Sequence, residues 1–332
     1  MSVSEPETAP RISVVIPTYR RPDLLAAALA SCESGAAGIG GPVEILVVDN
    51  APEPEAEPVV AAAPRAEGVT LRYVHEPRPG ISQARNRGVA EARADRIAFL
   101  DDDQRARPGW LAALDACLER TGADAAFGPV VADVAPGGDA EPREAEAVFS
   151  RRLDAARDAD VTASHAFLGT QNSLFRRAPA FARPVPFDPE LGTTGGEDSL
   201  LIKRLVLGGA RFAWAADAVV DETVPADRAT VAYLGRRRLR NGQIRCQVLA
   251  RLEPPRRAEI LRWMAVGAIQ LGLWGALALL ARPVDARRSA RFGIRARGGL
   301  GKLIWLERFR RPMYGAAVTP PPVEPARTSG AE

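Results

Sequence analysis

Residues 12–30 read ISVVIPTYRRPDLLAAALA, and this segment already predicts the class of the fold. Its first six residues form a continuous apolar run rich in β-branched side chains, which is typical of a strand buried on both faces. Pro22 follows at a position that a helix tolerates in its first turn, so a helix is predicted over residues 22–34. A buried strand followed directly by a helix indicates the start of an α/β sheet.

The same alternation continues to about residue 120. Further strands are predicted at residues 43–48, 69–74 and 96–100. Helices are predicted at residues 82–94 and 108–120. Because strands alternate with helices, we expect a doubly wound, mainly parallel sheet with helices on both faces.

The second part of the chain has a less regular pattern. It predicts strands at 125–134, 166–175 and 212–220, and helices at 141–159, 195–207 and 230–250. The remainder is predicted to be a helical C-terminal extension that ends in a Pro-rich tail. The expected organisation is a flexible leader (1–10), an α/β catalytic domain (11–228), a basic helical region (229–311) and a disordered tail (312–332).

The charge of the chain is nearly balanced overall but not along its length. With 332 residues, 44 basic and 41 acidic side chains and 46% hydrophobic residues, the sequence excludes general disorder and a wholly basic nucleic-acid coat. Residues 1–202 carry 20 basic and 31 acidic side chains, a net of −11, whereas residues 203–332 carry 24 and 10, a net of +14. The second half is therefore expected to face an anionic partner, either a membrane surface or nucleic acid.

The cysteines and the N-terminus indicate the compartment. Cys32, Cys117 and Cys246 are isolated, which argues against a disulfide scaffold or a zinc site and suits a reducing cytoplasm. The first ten residues lack the basic and apolar regions of a secretory signal. We therefore expect the catalytic part to be cytoplasmic.

Polar residues follow three of the predicted strands. These segments are PTYR (17–20), DN (49–50) and DDD (101–103). Parallel strands bring their carboxyl ends to one edge of the sheet, where open α/β sheets bind ligands. Three adjacent aspartates repel one another unless a cation neutralises them, and Mg²⁺ or Mn²⁺ bridging a diphosphate would do so. The alternative is a plain acidic loop.

Three other candidates allow two interpretations each. Asp49 could accept a hydrogen bond from a nucleobase or cap the following turn. Arg85 could hold phosphate or base, or simply face solvent. Glu197 and Asp198 follow two glycines at a helix start, where the helix dipole favours ionised carboxylates. They could take a proton from a hydroxyl nucleophile or serve only as capping acids.

Six motifs then occur in order along the chain. They are VVIPTYRRPDLL (14–25), ILVVDN (45–50), EPRPGISQARNRGV (76–89), FLDDD with RPGWL (99–111), GTQNSLFRR (169–177) and GGEDSLL (195–201). Together they resemble the family 2 glycosyltransferases of the GT-A fold, and residues 221–242 resemble the segment after the catalytic domain in exopolysaccharide-type members. The resemblance covers residues 11–245. It implies inverting transfer of a sugar from a nucleotide-diphosphate donor, a UDP-sugar above all, to a hydroxyl of a saccharide or lipid-linked saccharide.

The resemblance also implies roles for individual residues. Asp198 matches the catalytic base and Glu197 its acidic neighbour, while Asp103 and Asp101 match ligands of a divalent metal, Mg²⁺ or Mn²⁺. The implied donor-binding residues are Thr18, Tyr19, Arg20, Asp49, Arg85, Asp101, Thr170, Asn172, Arg238 and Arg240. Thr18, Asp49 and Arg85 would contact the base, and Thr170 and Asn172 would lie near the sugar. Arg238 and Arg240 would hold the diphosphate, or alternatively face lipid headgroups.

One position departs from the family pattern. Many relatives have a histidine near the segment that here reads VVDETVP (219–225), where Asp221 or Glu222 could take its place.

The basic half contains a long uncharged segment. Residues 263–281, WMAVGAIQLGLWGALALLA, are just long enough to span a bilayer, but arginines flank both ends and give no orientation. The alternatives are a helix that lies in the membrane interface, a shallow re-entrant hairpin, or a helix buried against the catalytic domain. The basic residues that follow would suit anionic headgroups. We expect an enzyme at the inner face of the cell membrane.

Two rival functions fit the sequence less well. A nucleotidyltransferase typically needs a glycine-rich phosphate loop after the first strand, and PTYRRPD has no such glycines. A non-catalytic protein that binds nucleic acid through its arginines would leave the two acidic sites unexplained. Nucleic acid is therefore not an expected partner.

Overall fold

A seven-stranded sheet forms the centre of the computed structural model, which describes residues 9–36, 39–310 and 312. Its strands are β1 (Ile12–Thr18), β2 (Val43–Asp49), β3 (Val69–His75), β4 (Arg96–Phe99), β6 (Ala125–Phe127), β8 (Ser173–Arg176) and β9 (Phe212–Trp214). Their order is β3-β2-β1-β4-β8-β6-β9. Strand β8 is antiparallel to both of its neighbours, and all other pairs are parallel. The prediction of a mainly parallel sheet is confirmed.

A second, smaller sheet lies beside the acidic triplet. It contains β5 (Gln104–Ala106), β7 (Val130–Val134) and β10 (Val220–Val224), in the order β5-β10-β7. Strand β5 starts directly after Asp103, and β10 is antiparallel to β5 and parallel to β7. This sheet therefore brings residues from near position 222 next to the aspartates.

Ten α-helices complete the part of the chain that the structure describes. They are α1 (Pro22–Gly35), α2 (Glu57–Ala62), α3 (Ile81–Glu91), α4 (Trp110–Thr121), α5 (Pro142–Phe149), α6 (Arg177–Ala180), α7 (Glu197–Leu207), α8 (Val231–Ala250), α9 (Arg257–Ala281) and α10 (Ala286–Leu303). Short 3-10 helices cover Thr162–Phe167, Pro189–Leu191 and Glu307–Phe309.

Helices cover both faces of the central sheet. Ile12, Val14 and Ile16 of β1 point into a core shared with α1 and α4, whereas Val15 points into the core on the other face with α3 and α7. A Cβ on Gly88 of α3 would overlap the Val15 side chain, so the glycine lets α3 lie directly on β1. The two-sided burial explains why β1 is apolar at nearly every position.

Four predicted segments differ from the structure, and each is interrupted by a turn. Residues 125–134 form two strands in different sheets, because Pro129 cannot donate a ladder hydrogen bond and the chain turns there. Residues 212–220 also divide between two sheets, after a turn in which the Ala218 amide bonds the Ala215 carbonyl. The helix predicted at 141–159 ends at Phe149, and most of 166–175 is a 3-10 helix and loop that precede β8.

The three C-terminal helices pack closely through glycines. A Cβ on Gly301 of α10 would overlap the carbonyl oxygen of Leu239 in α8. A Cβ on Gly299 would come within 2.6 Å of the Gly267 carbonyl oxygen in α9. Helix α10 therefore lies between α8 and α9 at backbone contact distance.

The apolar helix α9 is largely uncovered. Only 6% of its most apolar 18-residue stretch is buried. Its exposed side chains include Leu261, Ile269, Leu273, Leu279 and Leu280. Burial of residues 263–281 against the catalytic domain was one alternative, and it is wrong. By length and composition alone, α9 is able to cross a membrane.

The predicted domain limits stay predictions. Helix α8 starts at Val231, near the predicted boundary, but Cys246 and Leu249 of α8 share a core cluster with Leu200 of α7 and Ile260 of α9. The extension thus packs on the α/β part. Residues 1–8 of the predicted leader and residues 313–332 of the predicted tail lie outside the described residues.

Candidate active site

The ends of β1 and β4 meet as the sequence predicted. The Thr18 hydroxyl donates to Asp102 Oδ2 at 2.9 Å, joining the two strand ends. Asp102 is buried, and Arg21 donates to both Asp102 (3.0 Å) and Asp103 (3.1 Å). Arg228 adds a weaker contact to Asp103 at 3.4 Å. Two arginines therefore supply part of the neutralisation that the sequence had assigned to a metal alone.

Asp49 lies at the end of β2, fully buried. Its carboxylate accepts hydrogen bonds from the amides of Ala51 (3.0 Å) and Ala56 (2.8 Å) and from the Tyr73 hydroxyl (3.1 Å). This is the turn-capping arrangement that the sequence offered as the alternative to a nucleobase contact. The nucleobase role stays a prediction; Oδ1 accepts only one of these three hydrogen bonds.

Arg85 connects the sheet edge to α7. It projects from α3 and forms an ion pair with Glu197 and a 3.2 Å contact with Asp101. Burial, reinforced by repulsion from Asp198, raises the pKa of Glu197 to about 7, and Arg85 opposes that rise. Burial also raises the pKa of Asp101, with Arg85 again opposing. The solvent-facing alternative for Arg85 is wrong, because its side chain is only 6% exposed.

Glu222 of β10 joins this acidic group, whereas its neighbour Asp221 does not. Consecutive strand residues point to opposite sides. Asp221 pairs with Arg107 at 2.6 Å, away from the aspartates. Glu222 is buried, and burial with repulsion from Asp103 raises its pKa to about 8. Of the two candidates for the family's histidine position, Glu222 is the one that the fold brings to the site.

The acidic group fits a divalent cation in its chemistry. Asp103 lies close enough to Asp101 and Glu222 to raise the pKa of both, so the three carboxylates repel each other across one space. Within the described ranges, no group of three or more His, Cys, Asp and Glu side chains is arranged to hold a metal. Mg²⁺ typically takes one or two carboxylates when phosphate oxygens complete its shell, and the metal role of Asp101 and Asp103 stays a prediction.

The start of α7 holds Asp198 in a defined orientation. Asp198 Oδ1 accepts hydrogen bonds from the Ser199 amide (2.6 Å) and hydroxyl (3.2 Å). Its other oxygen faces Gly169, where a Cβ would come within 2.9 Å of Oδ2. Among the described residues nothing donates a hydrogen bond to Oδ2. One carboxylate oxygen is therefore fixed and the other is available.

The loop before β8 contains the two residues expected near the sugar. Thr170 is buried, and its hydroxyl has no partner among the described residues. Asn172 adopts φ 54°; its Oδ1 accepts a hydrogen bond from Trp110 Nε1 (2.7 Å), and its Nδ2 donates to the carbonyls of Pro129 (2.7 Å) and Ala218 (2.8 Å). The Asn172 side chain thus connects α4 to two loop carbonyls, and its role near the sugar stays a prediction.

Arg151 lies buried beneath this loop and carries no local sequence signal of its role. Its guanidinium donates to the carbonyls of Gly128, Gly169, Gln171 and Asn172 at 2.7–3.1 Å. Burial lowers the pKa of Arg151 to about 10, with Asp198 first among the carboxylates that oppose this. Arg151 therefore fixes the position of Gly169 against Asp198.

Helix α8 presents different arginines to the site than the sequence suggested. Arg238 points towards α5 and α10, where Glu144 and Arg295 act on its pKa, so its assignment to the diphosphate is wrong. Arg237, one position earlier, lies over the Phe149 ring at 4.2 Å and close enough to Glu222 to lower its pKa. Arg240 acts on Glu197 in the same way, as expected for a residue near the site.

The two remaining predicted donor residues follow β1. The Tyr19 hydroxyl is buried with no partner among the described residues, whereas Arg20 is exposed, has φ 53° and pairs with Glu55 at 3.0 Å. Arg21 could have been found from its place inside the PTYRRPD motif. Arg151, Arg228 and Arg237 could not, because arginines occur throughout the sequence.

Comparison with known proteins extends these observations. The model of the family described as "Glycosyl transferase family 2" matches residues 13–181. The chain is 32% identical over 317 residues to the succinoglycan biosynthesis protein ExoM of Rhizobium meliloti (strain 1021), with 94% of this chain and 98% of ExoM covered. It is 28% identical to the succinoglycan biosynthesis protein ExoO of the same strain, over 62% of this chain and 59% of ExoO.

A solved structure shares the fold. S. aureus TarS 1-349 in complex with UDP matches with a TM-score of 0.51 at 16% identity, covering 88% of this chain and 89% of that chain. A longer TarS structure matches with the same TM-score, and this chain spans 54% of it. The family model covers about half of the chain and ExoM aligns with nearly all of it, so the protein belongs to glycosyl transferase family 2 and is a glycosyltransferase.

Proposed function

We propose that the protein is an inverting glycosyltransferase that moves a sugar from a UDP-sugar to the hydroxyl of a saccharide or lipid-linked saccharide. Exopolysaccharide or cell-envelope glycan synthesis at the cytoplasmic face of the membrane is the proposed setting. The names of ExoM and ExoO support the pathway, and TarS structures with UDP and UDP-GlcNAc support the donor. Family membership decides against the nucleotidyltransferase and the non-catalytic alternatives.

The observation that carries the proposed mechanism is the orientation of Asp198. With Oδ1 fixed by Ser199, Oδ2, which accepts no hydrogen bond from the described residues, can accept the proton of an acceptor hydroxyl. The hydroxyl oxygen then attacks the anomeric carbon opposite the departing diphosphate. This single displacement inverts the anomeric centre and forms no covalent enzyme intermediate.

The other charged residues orient the donor and stabilise the leaving group. Arg85 pairs with both Glu197 of α7 and Asp101 at the sheet edge, and so connects these two parts of the site. Arg237 and Arg240 place positive charge beside the acids, where a diphosphate would lie. Asp101 and Asp103 would hold Mg²⁺ or Mn²⁺, which when bound supplies further stabilisation of the leaving diphosphate. Thr18, Tyr19, Arg20, Asp49 and Thr170 complete the proposed donor site.

The proposed membrane contact rests on α9. This helix exposes four leucines and Ile269 along its length, and soluble proteins seldom leave so large an apolar surface uncovered. Arginines at both of its ends would suit anionic headgroups. Sedimentation of the full-length protein with membranes after a high-salt wash is expected. Quantitative recovery in the soluble fraction would contradict the membrane contact.

The base is tested with Asp198→Asn. Asparagine retains an oxygen that accepts from Ser199, so the local fold and donor binding should persist while proton acceptance is lost. Transfer from a panel of radiolabelled UDP-sugars should fall by about 10² to 10⁴-fold, with donor affinity within about twofold of the wild type. Asp217→Asn, at an exposed ion pair with Arg157, is the matched control. Normal turnover of Asp198→Asn would show that the base lies elsewhere.

A further inference from the structure

A second basic cleft lies at the far end of α7 from Asp198. It has a volume of about 400 Å³. It is lined by Arg183, Arg204, Leu207, Gly208, Leu252, Glu253, Pro254 and Arg256. Along α7, at about 1.5 Å per residue, Arg204 and Leu207 of the lining lie about 10 Å and about 15 Å from Glu197. The cleft is therefore distinct from the donor site.

The arginines of this cleft lack the acidic partners that nearby arginines have. Among the described residues, the side chains of Arg183 and Arg204 form no hydrogen bond or ion pair, and the Arg256 side chain reaches Glu259 only at 4.0 Å. By contrast Arg251, in the adjacent turn, pairs with three carboxylates, on Asp188, Glu190 and Glu307. Glu253 is the one acid in the lining, so the cleft retains a net positive charge.

Arg204 is the least exposed of the three arginines that line the cleft. Its side chain is half-buried at the end of α7, and burial followed by repulsion from Arg183 lowers its pKa. The nearby carboxylates of Asp188 and Glu253 act in the opposite direction without touching it. A partly buried guanidinium without a partner has lost hydration that nothing replaces. An anion in the cleft would replace it.

We propose that this cleft binds a phosphate group. Guanidinium groups match the oxygens of a phosphate in geometry as well as charge, and Arg183, Arg204 and Arg256 face the same volume. Leu207, Leu252 and Pro254 line the rest, which suits a phosphate with an apolar part attached. A lipid headgroup and a soluble phosphate share this chemistry.

The position of the cleft connects it to the proposed membrane contact. Arg256 directly precedes α9, whose apolar side chains are exposed from Leu261 onward. Leu207 in the lining is itself 44% exposed. A phosphate held here would lie beside the first turn of α9, at the level where headgroups meet an apolar helix.

Phosphate titration of the full-length protein in a nonionic detergent tests the site. The wild type, Arg183→Gln/Arg204→Gln and the control pair Arg65→Gln/Arg157→Gln would be titrated with inorganic phosphate by calorimetry. The control removes the same charge from two exposed positions outside helices α8 to α10. Phosphate bound at the donor site is common to all three proteins. We expect the cleft variant to lose at least tenfold in affinity for the second phosphate and the control to lose less than twofold.

Flotation with vesicles separates the two sources of phosphate. The same proteins would be floated with phosphatidylcholine vesicles, with and without phosphatidylglycerol. Weaker flotation of the cleft variant than of the control pair on anionic vesicles identifies a lipid headgroup. Equal flotation, with the loss in calorimetry retained, identifies a soluble phosphate. If the cleft variant and the control match in both measurements, the proposal is overturned.

Discussion

Replacing Arg151 by methionine should damage both stability and catalysis, through the loop that carries Gly169. The carbonyl oxygens of Gly128, Gly169 and Gln171 accept from Arg151 and from no other protein donor in the described part of the chain. Leaving a buried acceptor unsatisfied costs about 1–3 kcal/mol, so three give an upper range of about 3–9 kcal/mol. Part of this cost is offset, because the substitution also removes a buried positive charge.

We therefore expect Arg151→Met to lower the free energy of unfolding by about 3–5 kcal/mol, a large fraction of a typical total of about 5–15 kcal/mol. Since Gly169 would move relative to Asp198, turnover should fall by about 10²-fold. Arg151→Lys keeps the charge and up to three donors, and should regain roughly half of the stability.

The measurements are urea unfolding followed by tryptophan fluorescence, and transfer from the preferred UDP-sugar at saturating donor. An Arg151→Met protein as stable as the wild type, with turnover within threefold, would refute the role assigned to this arginine. Loss of stability without loss of turnover per folded molecule would show that the loop does not need Arg151 to position the base.

Three further predictions concern other parts of the molecule. Burial works to raise the pKa of Glu44, but hydrogen bonds to its carboxylate lower it overall. The stabilisation is thus present above the unfolded-state pKa and lost as the pH falls through the lower folded-state pKa. Glu44→Gln should therefore cost about 2 kcal/mol in urea unfolding at pH 7, and this cost should shrink steadily as the pH is lowered. Gly301→Ala should lower the midpoint of thermal unfolding, because the added Cβ would push α10 away from α8. Gly293→Ala should raise the midpoint slightly, because a Cβ there meets nothing within 4 Å. Equal midpoints for the two variants would contradict the close packing of α8 and α10. In steady-state kinetics, Arg237→Gln should raise KM for the donor about tenfold, and Arg238→Gln should leave it unchanged. The opposite result would show that Arg238, not Arg237, faces the donor.

The sequence predicts the first half of the fold well because its signals there are long. Strands β1 to β3 have seven residues each; β1 and β2 are mostly apolar runs, and β3 alternates Val69, Leu71 and Tyr73 with more polar residues. Strands β6 and β9 have only three residues, too few to show any period. The split at Pro129 sends adjacent segments to two different sheets, which depends on pairing partners far away in the chain.

The residues of the candidate site also fall into two groups, those that sequence motifs indicate and those that only the folded chain brings together. Asp101, Asp103 and Asp198 were predicted because they sit at strand or helix ends within recognisable motifs. Arg151 was not, because its function depends on carbonyls that only the folded loop brings together. The error at Arg238 is one of helical phase: neighbouring residues point about 100° apart, and no apolar period in the arginine-rich α8 indicates which one faces inward.

Helix α8 connects the proposed catalytic centre to the apolar helix α9 and the basic helix α10. Its first half places Leu234 in a core with Phe149 and Arg237 beside the acids, and its second half packs against Ile260 of α9. A helix of 20 residues is about 30 Å long and behaves as a strut. If α9 lies on a bilayer, this rigid helix would hold Asp198 at a fixed distance from the lipid surface. Acceptors would then be selected by the distance of their hydroxyl from that surface as well as by its chemistry.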